Sequence, residues 1–242
     1  MISIYNPYRL CVIGLDLPIH LLYNISMSLL ENIFRKKSTR EYWDRVYSKN
    51  SPEEVTWYQK FPSTSLELIE LAGVSHGERI IDIGGGASTL VDCLVAMGHS
   101  GMEVLDISGN ALLGAQRRLG VNAARVRWIE ADVTEYQFEK DACDLWHDRA
   151  VFHFLTEPQK RDAYREALTR SLKTGGHIVI STFGLDGPQK CSGLRVARYD
   201  AAGLSREMGP GFTLVESRSE IHTAPSGHRQ SFIFCLFRKD GE

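Results

Sequence analysis

The run Arg79-Ile80-Ile81-Asp82-Ile83-Gly84-Gly85-Gly86-Ala87-Ser88-Thr89-Leu90 constrains the chain more than any other stretch. Ile80, Ile81 and Ile83 make the short β-branched run of a strand covered on both faces, as parallel strands are. Gly84, Gly85 and Gly86 follow, where backbone can turn tightly and a ligand can approach with no Cβ in the way. Ser88 is suited to cap a helix, and Leu90, Val91, Leu94 and Val95 recur behind it at helical spacing up to a stop at Gly98. Strand, glycine turn and helix start together place free N–H groups and a partial positive charge where a cofactor's anionic group would sit.

The identity of that cofactor is narrowed by two residues. A dinucleotide turn of the form G-x-G-x-x-G needs glycine where Thr89 stands. Asp82, two residues before the first glycine, would repel a pyrophosphate. A ligand end bearing an ammonium and a carboxylate removes the conflict, with Asp82 attracting the ammonium and the helix start taking the carboxylate. S-adenosyl-L-methionine (SAM) has such an end. On Asp82, Gly84 and Gly86 the chain resembles the class I SAM-dependent methyltransferases, although Ala87-Ser88 stands where many members carry a further glycine. The resemblance implies a Rossmann-like α/β fold, with seven mostly parallel strands and an antiparallel last strand. It implies SAM as the cofactor and no metal.

The chain continues as that fold requires. Met102–Asp106 reads as a second strand, and Asp106 lies at the spacing from the glycines where an acid meets a ribose. A carboxylate can accept from both hydroxyls at once, and Ile107 beside it joins the expected cofactor contacts. The competing reading of Asp106 is a cap for the next helix. Arg125–Val133 reads as the third strand and its exit. There the resemblance implies that Asp132 accepts from the adenine amino group while the Val133 N–H reaches the ring. Ala142–Asp148 is the fourth strand, ending at the crevice where open α/β sheets bind ligands. Asp148-Arg149 resembles the Asp-Lys of lysine-methylating enzymes and the Asp-Arg of thiopurine-type S-methyltransferases. The resemblance puts Asp148 at the cofactor and at the reacting groups, with Arg149 at the acceptor or, alternatively, paired to Asp148. His147 and His153 are candidate general bases, since an imidazole takes a proton near neutral pH. A helix over about 158–172 and a fifth strand over 177–183 follow. The Gly- and Pro-rich stretch 184–199 reads as a lid over the crevice, and 212–237 holds the closing strand pair.

The N-terminal part carries weaker signals. Trp43, Tyr47 and Tyr58 resemble the aromatic element of the lysine-methylating subgroup, where such rings close over the cofactor; plain core packing is the other reading. Leu10–Leu30 is apolar but interrupted, short of the ~18 uninterrupted apolar residues of a spanning helix. Residues 1–37 are expected to be a helical extension, with a cleaved presequence or a membrane contact as the less favoured readings, and residues 38–242 one domain.

Composition limits the classes. The 28 Lys and Arg against 30 Asp and Glu leave no broad basic field for nucleic acid. Five scattered cysteines form no C-x-x-C pair, which suits a reducing compartment such as the cytoplasm and opposes a zinc site. The expected activity is transfer of the sulfonium methyl to an N, O or S nucleophile of a small molecule. A protein lysine is the alternative acceptor. A non-catalytic module on the same fold and a dinucleotide oxidoreductase are the alternatives of other classes.

Overall fold

The computed structural model describes residues 9–12, 15–18, 39–49 and 51–241, and residues 1–43 and 44–242 form two compact units. In the first unit β1 (Arg9–Val12) pairs antiparallel with β2 (Leu15–Pro18). Where a helical extension was expected, the described residues thus form a two-stranded ladder; the remainder of 1–37 lies outside the described residues. The physical reason is in the chain itself, where four-residue runs carrying Leu10 and Val12, then Leu15 and Leu17, alternate as strands do around Gly14.

The second unit is built on a seven-stranded sheet. Its strands are β3 (Arg79–Ile83), β4 (Gly101–Asp106), β5 (Val126–Glu130), β6 (Cys143–Arg149), β7 (Leu172–Phe183), β10 (Phe212–Thr223) and β11 (Arg229–Lys239), in the order β10-β11-β7-β6-β3-β4-β5. β11 alone runs against the rest, antiparallel to both β7 and β10. This is the expected doubly covered sheet. Ile80, Val104, Leu145 and Val179 point into one core cluster, Ile81, Leu105, Trp146 and Ile178 into the other, and all are buried.

Helices Leu90–Ala96, Gly109–Leu119 and Pro158–Ser171 connect the parallel strands, and Ser63–Leu71 precedes β3. Strand order reverses at β3, between β4 and β6, which opens the ligand crevice at their C-terminal ends. The 184–199 stretch holds a small hairpin, β8 (Lys190–Cys191) against β9 (Leu194–Arg195). Cys93, Cys143, Cys191 and Cys235 are free thiols. Among the described residues no helix is long and apolar enough to cross a membrane.

Candidate active site

The glycine turn is held open by collisions that side chains would create. Gly84 has φ 68°, and a Cβ there would run into Val151 Cγ2. At Gly85 it would strike the Asp82 carboxylate, and at Gly86 it would press on Ala111 and on Asp106 Oδ2. The helix behind the turn begins at Leu90, one turn-residue later than a Ser88 cap requires. Ser88 Oγ still accepts the Leu90 N–H at 3.0 Å.

Two carboxylates flank the turn. Asp106, at the end of β4, accepts the Gly86 N–H at 3.1 Å through Oδ2 and the Ser108 N–H at 2.8 Å through Oδ1. Burial pushes its pKa up to about 6. Capping of the following helix falls to Ser108, whose Oγ accepts from Ala111 N at 3.2 Å and donates to Asp44 at 2.6 Å. Asp106 thus braces the turn, and the helix cap falls to Ser108. Asp82, on β3, is 1 % exposed. Its Oδ1 meets His147 Nδ1 at 2.6 Å, and His147 Nε2 meets Ser65 Oγ at 2.9 Å. Its Oδ2 is sealed from solvent and has no partner. A buried carboxylate oxygen left in this way calls for a cation or donor from a ligand.

Asp82, His147 and Ser65 line a cleft bounded further by the turn at Gly84 and Ala87–Leu90, by Arg149, and by Trp57, Tyr58 and Gln59 from just before the helix Ser63–Leu71. Thr89 Oγ1 donates to the Gln59 carbonyl at 2.8 Å and so ties the two walls together. Arg149 donates from Nη1 to the Trp57 carbonyl at 2.9 Å, and its guanidinium carbon lies 4.8 Å over the Phe232 ring.

Asp148 and His153 are not among the residues that line the cleft. Asp148 is fully buried, and its oxygens accept from Val151 N, Phe152 N and the Tyr164 hydroxyl at 2.9, 3.0 and 2.7 Å. The same hydroxyl accepts from Trp146 Nε1 at 2.8 Å. Asp148 is thus the anchor of the turn after β6, and no ion pair joins it to Arg149. His153 is sealed between the Phe154 and Phe183 rings, with Nδ1 accepting the Phe183 N–H at 3.4 Å. Burial and then Arg149 push its pKa down to about 3, so the ring is neutral. His147 has both nitrogens engaged, and its geometry suits orientation of Asp82 better than removal of a substrate proton.

Asp132 Oδ1 accepts from Thr134 N and Oγ1 at 2.9 and 2.7 Å at the exit of β5; Val133 beside it is buried and Ile107 half-buried. Tyr47 stands edge-on to Trp57 at 6.1 Å, and burial and then the Asp106 carboxylate push its phenol well above the ordinary range. Tyr58 lines the cleft. Trp43 stands edge-on to Tyr42 at 5.5 Å, within the first unit. Sequence reasoning missed Ser65, Gln59 and Asp44, whose partners lie 82, 30 and 64 residues away and leave no local pattern.

Residues 80–176 match the family described as Methyltransferase domain. A ubiquinone/menaquinone biosynthesis C-methyltransferase UbiE of Azotobacter vinelandii is 35% identical over 120 residues, which are 48% of this chain and 46% of that protein. The match thus spans less than half of that relative's length. The eEF1A lysine and N-terminal methyltransferase of Danio rerio is 23% identical over 164 residues, 64% of this chain and 23% of that protein. Among solved structures, the 1,6-didemethyltoxoflavin-N1-methyltransferase of Burkholderia thailandensis, with bound 1,6-didemethyltoxoflavin and S-adenosylhomocysteine, superposes with a TM-score of 0.61 at 19% identity. That likeness covers 94% of each chain. A phosphoethanolamine N-methyltransferase of Haemonchus contortus gives a TM-score of 0.64 at 17% identity, over 84% of this chain and 60% of that one.

Proposed function

We propose, from the premise that this chain is a class I SAM-dependent methyltransferase, that it moves a methyl group from SAM to a small-molecule nucleophile bound in the cleft. The observation that carries the reading is the sealed, unpartnered Oδ2 of Asp82 beside the glycine turn, one strand away from the buried Asp106. An ammonium answers the first carboxylate, and a ribose diol answers the second. When bound, SAM supplies an electrophilic methyl on a sulfonium. Asp82, held by His147 and Ser65, receives the ammonium. Asp106 receives the ribose hydroxyls, and Asp132 with the Val133 N–H receives the adenine. Trp57 and Tyr58 wall the cleft against water, and the 184–199 segment covers its acceptor side together with Arg149. In-line transfer needs mainly a fixed approach geometry and exclusion of water. A side-chain base is not required of His147 or His153.

The acceptor atom is N, O or S in this reading, and the UbiE relative's name adds carbon to the atoms worth screening. A protein lysine is the second reading, favoured by the eEF1A lysine methyltransferase relative and by the aromatic residues Tyr47 and Tyr58. The catalytic domain is residues 38–242, preceded by an extension over 1–37, and the protein works in the cytoplasm. Calorimetric titration with SAM, S-adenosylhomocysteine (SAH) and NAD(H) tests the assignment. SAM and SAH should bind and NAD(H) should not. Tighter binding of NAD(H) than of either SAM form would overturn it.

A further inference from the structure

Arg149 carries a charge that the chain answers only in part. Its Nη1 bond to the Trp57 carbonyl and the Phe232 face beneath it fix the plane of the guanidinium. Its Nε and Nη2 are sealed from solvent and have no acceptor. Of the acids that act on it, Asp82 is held through Oδ1 by His147 and keeps Oδ2 unmet, while the others are engaged elsewhere. Glu220 accepts from Gln59 Nε2 at 2.9 Å and from Thr64 Oγ1 at 2.6 Å, and Asp148 is bound inward by Tyr164. Burial pushes the Arg149 pKa down only to about 10, so the group stays cationic at neutral pH. A buried cation whose donors are unmet is costly, and it persists where a ligand completes it. The chain also turns sharply just after it, through Ala150 at φ 70°, a conformation that L-residues adopt at some cost.

Nε and Nη2 lie along one edge of the guanidinium, the edge that meets both oxygens of a carboxylate in parallel. We propose that this edge of Arg149 is an oxyanion site in the wall of the cleft, and that the productive complex brings a carboxylate to it. The inference rests on the methyltransferase reading above and adds the chemistry of the missing ligand group. Two molecules can supply that group. One is an acidic methyl acceptor. The other is SAM itself, whose methionine carboxylate would then lie on Arg149 while its ammonium lies on Asp82.

The test uses the full chain and its Arg149→Gln and Arg149→Lys variants, each checked for a cooperative thermal transition. Calorimetry compares SAM with decarboxylated SAM on the free protein, and benzoate with benzamide on the SAH-loaded protein. Loss of two charge-assisted hydrogen bonds should weaken the carboxylate-bearing ligand about 10- to 100-fold in the Gln variant, and less in the Lys variant, which keeps the charge without the fork. If SAM weakens while decarboxylated SAM does not, the cofactor supplies the carboxylate. If both SAM forms bind unchanged while benzoate loses its advantage over benzamide, the acceptor supplies it. The proposal is refuted if SAM binds the parent and every ligand pair is unaffected by either variant. It is equally refuted if the unaltered protein prefers neither SAM over its decarboxylated form nor benzoate over benzamide, a comparison that needs no variant to fold. A parent that binds neither SAM nor SAH refutes the methyltransferase reading instead.

Discussion

Replacing Asp106 by alanine is the sharpest single test of the proposed ribose contact. The carboxylate is 5% exposed, and burial raises its pKa to about 6. Holding it ionised at pH 7 costs roughly 3 kcal/mol, at ~1.36 kcal/mol for each of about two pKa units. Alanine removes that cost but leaves the Gly86 and Ser108 N–H groups unmet, at about 1–3 kcal/mol each. The two effects nearly cancel, and the variant should fold with a stability within about 3 kcal/mol of the parent. Binding has no such compensation. Losing a charged acceptor for the ribose should weaken SAM by about 1.5–3 kcal/mol, roughly ten- to a hundred-fold. Urea unfolding and calorimetry with SAH read the two quantities separately. A folded Asp106→Ala protein that binds SAM as tightly as the parent would refute the assignment of Asp106 to the ribose.

Three further outcomes follow from the same contacts. Because folding raises the pKa of Asp106, its stabilising contribution is full below about pH 4 and is lost as pH rises through about 6. Ribose binding favours the ionised form, so SAM affinity should fall about tenfold between pH 7 and pH 5, and a flat calorimetric profile over that range would count against the role. Tyr164→Phe removes the hydroxyl shared by Trp146 and Asp148. It should destabilise the protein by roughly 3–5 kcal/mol in urea while SAM affinity in the folded fraction is unchanged; a loss of affinity would return Asp148 to the cofactor site. Gly84→Ala meets Val151 Cγ2 at a left-handed φ and should destabilise by about 2–4 kcal/mol, whereas Gly77→Ala, with open space around it, should be neutral. Equal effects of the two glycine variants would show that the turn is less tightly built than its contacts suggest.

How far the site was legible in sequence depended on how far its contacts reach along the chain. Asp82, the glycines and Asp106 belong to a strand, a turn and the next strand, so their spacing carried the information. The partner of Asp148 could not be read from spacing, because the hydroxyl that donates to it belongs to Tyr164 in the following helix. The Ser65–His147–Asp82 chain joins a helix and two strands that meet only in the folded sheet. His147 and His153, similar as residues in a list of candidate bases, differ because one lines the cleft and the other is closed between aromatic rings. At the N-terminus, measuring Leu10–Leu30 against a membrane span passed over the alternation that makes β1 and β2.

The placement of Cys191 has a kinetic use. It sits in β8 within the 184–199 segment, 6 % exposed, and burial raises its pKa to about 11. Only the thiolate attacks an alkylating reagent, so at pH 7 roughly one Cys191 in 10⁴ is reactive at any instant. If the segment lifts, the sulfur enters water and its pKa moves toward ~8.5, which multiplies the reactive fraction several hundred-fold, about what the pKa difference dictates. Cys143 and Cys235, held up to about 11 and 12, lie in β6 and β11 of the central sheet and stay silent unless the whole domain opens. Alkylation rate at Cys191 therefore reports the fraction of time that segment is open. A ligand that holds the segment down would lengthen the label's half-life, turning a thiol with no part in the chemistry into a clock for the closing of the cleft.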